Sequence, residues 1–111
     1  MQVPKGLETI RLSQQCKEQL IRLKRVTGIT QWNTLCRWAV LTSLADETEP
    51  PEGKMVADSS VEMDWKTFSG EFGEVVLASL AARAKDDDLA RSLGRHLSRG
   101  LAVLAEELII S

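Results

Sequence analysis

The stretch "ETIRLSQQCKEQLIRLKRVTG" (residues 8–28) changes its period partway along. Ile10 and Leu12 fall on one side, with Thr9, Arg11 and Ser13 on the other. That is the alternation of a short half-buried strand. After Ser13 the apolar spacing becomes helical: Cys16, Leu20, Leu23 and Thr27 line one stripe. Ser13 is a natural N-cap and Gly28 a natural residue to follow the last turn. Lys17, Ile21, Lys24 and Arg25 lie beside the stripe on one flank, and Glu18 and Arg22 lie further round at a spacing that permits pairing. So short a strand needs a partner, and another chain can supply it.

Thr30 is expected to cap a second helix over residues 31–45. Trp32, Leu35, Cys36 and Ala39 occupy one side of it, and Trp38, Val40, Leu41 and Leu44 most of the rest. Only Asn33, Thr34, Arg37 and Thr42 interrupt. A helix that is apolar nearly all round has to be covered all round. In a domain this small, the cover on one side is expected from another subunit, because exposure would leave too large an apolar patch. Trp32, Leu35, Trp38 and Leu41 are the expected oligomer contacts.

Residues 46–63 read as a long internal loop broken by Pro50, Pro51 and Gly53. Asp64 opens a short turn holding Trp65 and Phe68. A third helix is expected over 70–85, offering Phe72, Val75, Val76, Ser79, Leu80 and Ala84 to the core. Asp86, Asp87 and Asp88 suit the N-terminus of a fourth helix over 88–108. Leu89, Leu93, Leu97, Leu101, Leu104 and Leu108 mark the apolar face of that helix. Gly94 and Gly100 weaken it by about 1 kcal/mol each relative to Ala. The fold class is therefore mainly α: one compact helical domain over residues 1–111, with an N-terminal strand and an oligomeric assembly.

The net charge of −2 conceals an asymmetry. Residues 1–43 hold seven basic and two acidic groups, whereas residues 44–111 hold seven basic and fourteen acidic groups. A basic first half suits an anionic partner. No apolar run reaches the ~18 residues of a membrane helix, and the first residues lack a signal-peptide core. With Cys16 and Cys36 both at apolar helical positions, a reduced, cytoplasmic setting is expected.

Little in the sequence resembles catalytic machinery. His96 is the single histidine, with no Cys or carboxylate at ligand spacing. The aspartate run at 86–88 points its carboxylates in different directions. Arg91, Arg95 and Arg99 form a stripe expected to pair with acids such as Asp87 and Asp88. Trp32 and Trp38 have core spacing, and Trp65 is expected to be more open, though its large apolar area also favours burial. Phosphate loops and Ser/His/Asp sets are absent, so neither an enzyme nor a cofactor is expected.

The order strand, basic helix, apolar helix resembles a ribbon-helix-helix unit. That resemblance implies an alternative function as a repressor reading a specific operator through Thr9, Arg11 and Ser13. It also implies a phosphate seat near Thr30, Gln31 and Asn33. A longer resemblance comes from "LIRLKRVTGITQWNTLCRWA" (20–39), "VADSSVEMDWKTFSGEF" (56–72) and "RHLSRGL" (95–101). These blocks resemble the DndE family, the small subunit of the bacterial DNA phosphorothioation system.

The DndE resemblance implies a helical tetramer that binds duplex DNA, preferentially nicked, without catalysing the exchange of oxygen for sulfur. It implies three protein partners: a cysteine desulfurase, an ATP-dependent sulfur-transfer protein and an ATPase. DNA contact falls to Lys17, Lys24 and Arg25, with Arg22, Arg37 and Arg11 as further candidates. A sulfur-carrier role for Cys16 or Cys36 fits poorly, since a persulfide carrier needs an exposed, acidic thiol.

Overall fold

The computed structural model describes residues 7–51, 61–83 and 89–110, with side chains to residue 108. The strand β1 (Thr9–Arg11) finds its partner within the same chain. It pairs antiparallel with β2 (Glu62–Asp64), setting Thr9 opposite Asp64, Ile10 opposite Met63 and Arg11 opposite Glu62. The Leu12 amide extends the ladder to the Val61 carbonyl at 3.0 Å. The ribbon expected from a second chain is thus replaced by an internal clip. The end of the expected 46–63 loop is the strand that closes it, and residues 52–60 lie outside the described part.

The helix α1 (Gln14–Thr27) begins and ends where its sequence signals stand. The Ser13 side chain accepts from the Cys16 amide at 3.1 Å. Gly28 takes a left-handed φ of 77° and donates its amide to the Lys24 carbonyl at 3.0 Å. Cys16, Leu20 and Leu23 are buried. Thr27, the last position of the stripe, instead donates its hydroxyl to the Leu23 carbonyl at 2.7 Å and receives the Ile29 amide at 3.1 Å.

The helix α2 (Trp32–Ala45) begins after Gln31, whose side chain makes no cap bond, so the cap position falls one residue after the expected Thr30. Leu35, Cys36, Ala39, Val40 and Ser43 form its buried arc. The opposite arc is open in the single chain, where Trp38 is 40% and Leu41 36% exposed. Leu35, expected at a subunit contact, is fully buried in the chain's own core. The relation among the tryptophans is also reversed. Trp38 is the open one, while Trp65 is buried beside Phe68 with ring centroids 5.8 Å apart.

Trp65 is buried because α3 (Trp65–Ser69) packs on both α2 and β2. Asp64 caps it by accepting the Thr67 amide at 2.7 Å. A 3-10 turn (Gly70–Phe72) then leads into α4 (Gly73–Arg83). One helix from residue 70 was expected, but Gly70 at φ 55° turns the chain first and resets the phase. Val76 and Leu80 therefore point inward, whereas Phe72 and Val75, expected in the core, are 49% and 58% exposed. Ala84 and Asp86–Asp88 lie outside the described residues.

The last helix, α5 (Leu89–Ala105), runs on into a wider π turn at Glu106–Ile110. It buries Leu93, Leu97, Leu101 and Leu104, packing chiefly along α2 and secondarily along α1. Gly100 allows this packing: a Cβ there would lie 1.8 Å from the Ala39 carbonyl oxygen. Among the described residues, no helix is long and apolar enough to cross a membrane.

Candidate nucleic-acid interface

The buried stripe of α1 fixes where its cations point. At 3.6 residues per turn, Lys17 and Lys24 stack on one flank of the stripe and Arg25 faces directly outward. Arg22 is about 160° round from Lys24 and belongs to the opposite flank. Arg22 and Arg25 are exposed, and neither has an ion-pair partner among the described residues. The pairing of Glu18 with Arg22 expected from their spacing is not made.

Lys24 is tied to the second helix. Its ammonium lies 4.4 Å from the centroid of the half-buried Trp32 ring. The ring's negative face holds the cation without neutralising it. The Asn33 side chain, next along, donates to the Thr67 carbonyl at 3.1 Å. The end of α1, the start of α2 and α3 thus form one continuous surface.

The other two expected contacts are differently employed. Arg11 places Nη2 2.6 Å and Nε 3.1 Å from the same Glu62 oxygen, a cross-strand pair on the open face of the clip. Arg37 is half-buried. Its Nη1 donates to the Phe68 carbonyl at 3.2 Å, its Nη2 to the Thr34 hydroxyl at 3.4 Å, and its guanidinium lies 5.9 Å from the Phe72 ring. Arg37 braces α3 against α2 and adjoins the open apolar arc of Trp38 and Leu41.

The arginines of α4 and α5 do something the sequence does not announce. Arg83 donates to the Leu44, Asp46 and Thr48 carbonyls at 2.9, 2.7 and 2.7 Å. Arg99 donates to the Ser43 hydroxyl at 2.8 Å and the Ser43 carbonyl at 2.7 Å, and reaches the Thr48 hydroxyl at 3.0 Å. Two guanidinium groups so satisfy carbonyls at the negative end of α2 and tie down the segment after it. Their partners lie 35 to 56 residues away in the chain, beyond the reach of any spacing rule.

Arg91 is exposed at the mouth of a mostly apolar pocket of about 250 Å³ between the β1–α1 junction and α5. Arg95 is buried. The three arginines of the expected stripe therefore have separate surroundings.

His96 is buried with Nδ1 2.8 Å from the Ser43 hydroxyl, and its Nε2 has no hydrogen-bond partner. Burial lowers its pKa to about 4, assisted by the charges of Arg83, Arg99 and Arg95 and opposed by Glu49. The ring is neutral at pH 7. Cys16 and Cys36 are buried free thiols. Burial, and then the neighbouring Cys16, push the Cys36 thiol up to about 12 against the opposing charge of Arg37. Such a thiol offers essentially no thiolate at neutral pH. Among the described residues, no three His, Cys, Asp or Glu side chains gather to hold a metal.

These features define a class: a small helical domain closed by a two-stranded clip, with cations carried outward on its first helix. Within that class the chain belongs to the DndE family, described as "DNA sulphur modification protein DndE", whose sequence pattern it matches over residues 9–111. Its fold is similar to that of DndE from Escherichia coli B7A, a protein involved in DNA phosphorothioation modification. The identity is 26% and the TM-score 0.79, with 94% of this chain and 99% of the other covered. A glycine-to-lysine mutant of DndE, also involved in DNA phosphorothioation, matches at 25% identity and TM-score 0.74 over the same shares. No curated protein matches the sequence.

Proposed function

We propose that this chain is the non-catalytic DNA-holding subunit of a phosphorothioation machinery. It binds duplex DNA, preferentially at a nick and without regard to sequence, through Lys17, Lys24 and Arg25 of α1. The observation that carries the reading is the cation set on the flank and outer face of α1 of a DndE-family chain, with Lys24 steadied on Trp32. Cations so placed neutralise backbone phosphates, and the released counterions make affinity fall steeply with salt. Phosphate contacts of this kind position a protein without reading bases.

A homotetramer, assembled through the open arc of Trp38 and Leu41, would repeat the cation set along one duplex. The chemistry falls to partner proteins: a cysteine desulfurase, an ATP-dependent sulfur-transfer protein and an ATPase. The operator-reading alternative is disfavoured because β1 pairs with β2 of its own chain and Arg11 is engaged with Glu62.

The test is a gel-shift titration with one duplex, intact and singly nicked, at three salt concentrations and alongside a scrambled sequence. Salt-steep binding that ignores sequence, strengthens at the nick and is lost on replacing Lys17, Lys24 and Arg25 together by Glu is expected. Binding to one sequence alone would favour the repressor reading, and no shift on any DNA would overturn both.

A further inference from the structure

Resting on the DNA-holding reading, we infer that the phosphate track leaves α1 at Lys24, crosses the start of α2 and ends on Lys66 of α3. Lys66 is the second residue of a five-residue helix in the second, acidic part of the chain, so the charge of the basic first half does not point to it. The fold brings it there through two contacts. Lys24 lies over Trp32 at 4.4 Å, and the adjacent Asn33 donates to the carbonyl of Thr67, the residue after Lys66, at 3.1 Å.

Lys66 is exposed and has no ion-pair partner among the described residues. Asp64 stands two residues before it: its carboxylate accepts the Thr67 amide at 2.7 Å as the cap of α3 and still interacts electrostatically with Lys66. No acidic residue stands in the first turn of α2, which separates the two lysines. Trp32 and Asn33, the residues that make the two contacts, carry no charge. A phosphate backbone laid along this surface meets cations at both ends. Arg22, on the opposite flank of α1, is off the track.

The experiment measures the slope of log affinity against log salt on a nicked duplex for the wild-type protein, Lys66→Ala, Arg91→Ala, and the triple Glu variant of Lys17, Lys24 and Arg25. Each phosphate contact contributes about 0.9 to that slope on duplex DNA. Lys66→Ala is expected to lower it by about that amount with unchanged helical content. Arg91→Ala, which removes the same charge beside the pocket of β1 and α5, is expected to leave it unchanged.

An unaltered slope for Lys66→Ala, with binding lost in the triple variant, would overturn the extension and leave α1 as the whole contact. Equal losses for Lys66→Ala and Arg91→Ala would also overturn it, by tracing the effect to net charge. Unchanged binding by the triple variant would remove the underlying reading as well.

Discussion

Gly100 and Ala39 mark the point where α5 and α2 meet backbone to backbone: a Cβ on Gly100 would stand 1.8 Å from the Ala39 carbonyl oxygen. Helix propensity alone favours Gly100→Ala by about 1 kcal/mol. The contact reverses that preference, because the atom in the way is backbone and the two helices have to separate. Gly100→Ala is expected to destabilise the fold by about 2 kcal/mol or more. A denaturant midpoint at or above that of the wild type would show that the helices are not so closely apposed.

The two sides of α2 make opposite demands on substitution. Leu35 is fully buried in the chain's own core, so Leu35→Asp leaves an unpaired buried charge costing several kcal/mol and is expected to unfold the protein. Trp38 and Leu41 are open, so Trp38→Lys with Leu41→Glu is expected to leave the helical circular dichroism intact. In the tetramer proposed here the same double variant sediments as a smaller species. Retention of the wild-type mass would move the subunit contact elsewhere.

Local signals and long-range ones were unequally legible. The strand alternation, the Ser13 and Gly28 stops of α1 and the Asp64 cap are written within a few residues, and each stands where the sequence placed it. The phase of α4 is not legible locally, because Gly70 turns the chain after α3 and the apolar positions 72, 75 and 76 straddle two elements. The burial of Trp65 depends on what packs over α3, which no local pattern states. Charge asymmetry located the basic helix but could not separate its cations by role. Arg11 and Arg37 are set apart by Glu62 and by the Phe68 carbonyl, groups 51 and 31 residues away.

Arg37 is expected to matter more to stability than to DNA. It is half-buried and holds the Phe68 carbonyl and the Thr34 hydroxyl. Arg37→Ala leaves those acceptors without their donor and is expected to cost about 1–3 kcal/mol. Its salt slope on nicked DNA should stay at the wild-type value. A lowered slope with an unchanged thermal midpoint would return Arg37 to the phosphate-contacting set.

Arg83 and Arg99 predict where the chain first opens. Arg83 alone bonds three main-chain carbonyls of residues 44–48. Arg83→Met keeps much of the apolar stem and removes the donors. Amide exchange over residues 45–49 is expected to quicken more than exchange in α1, with a loss of about 1–3 kcal/mol in global stability. Protection unchanged in that segment would mean that Arg99 suffices to hold it.

His96 sets the response to acid. Its folded pKa is about 4 against an ordinary value of 6.5, so between those limits the unfolded chain binds a proton that the folded chain refuses. Stability from this group is complete above pH 6.5 and is lost as pH falls toward 4, at up to about 1.4 kcal/mol per pH unit. Asp46 and Asp64 act at lower pH. The Thr48 and Thr67 hydrogen bonds hold their carboxylates below the ordinary 3.8, so the stability they contribute is lost beneath that value. Urea midpoints of the wild type and His96→Leu, measured from pH 7 to pH 4.5, separate the two ranges. The wild-type midpoint is expected to fall across that interval and the variant's to stay nearly level. Parallel curves would assign the acid loss to the carboxylates and leave His96 without a part in it.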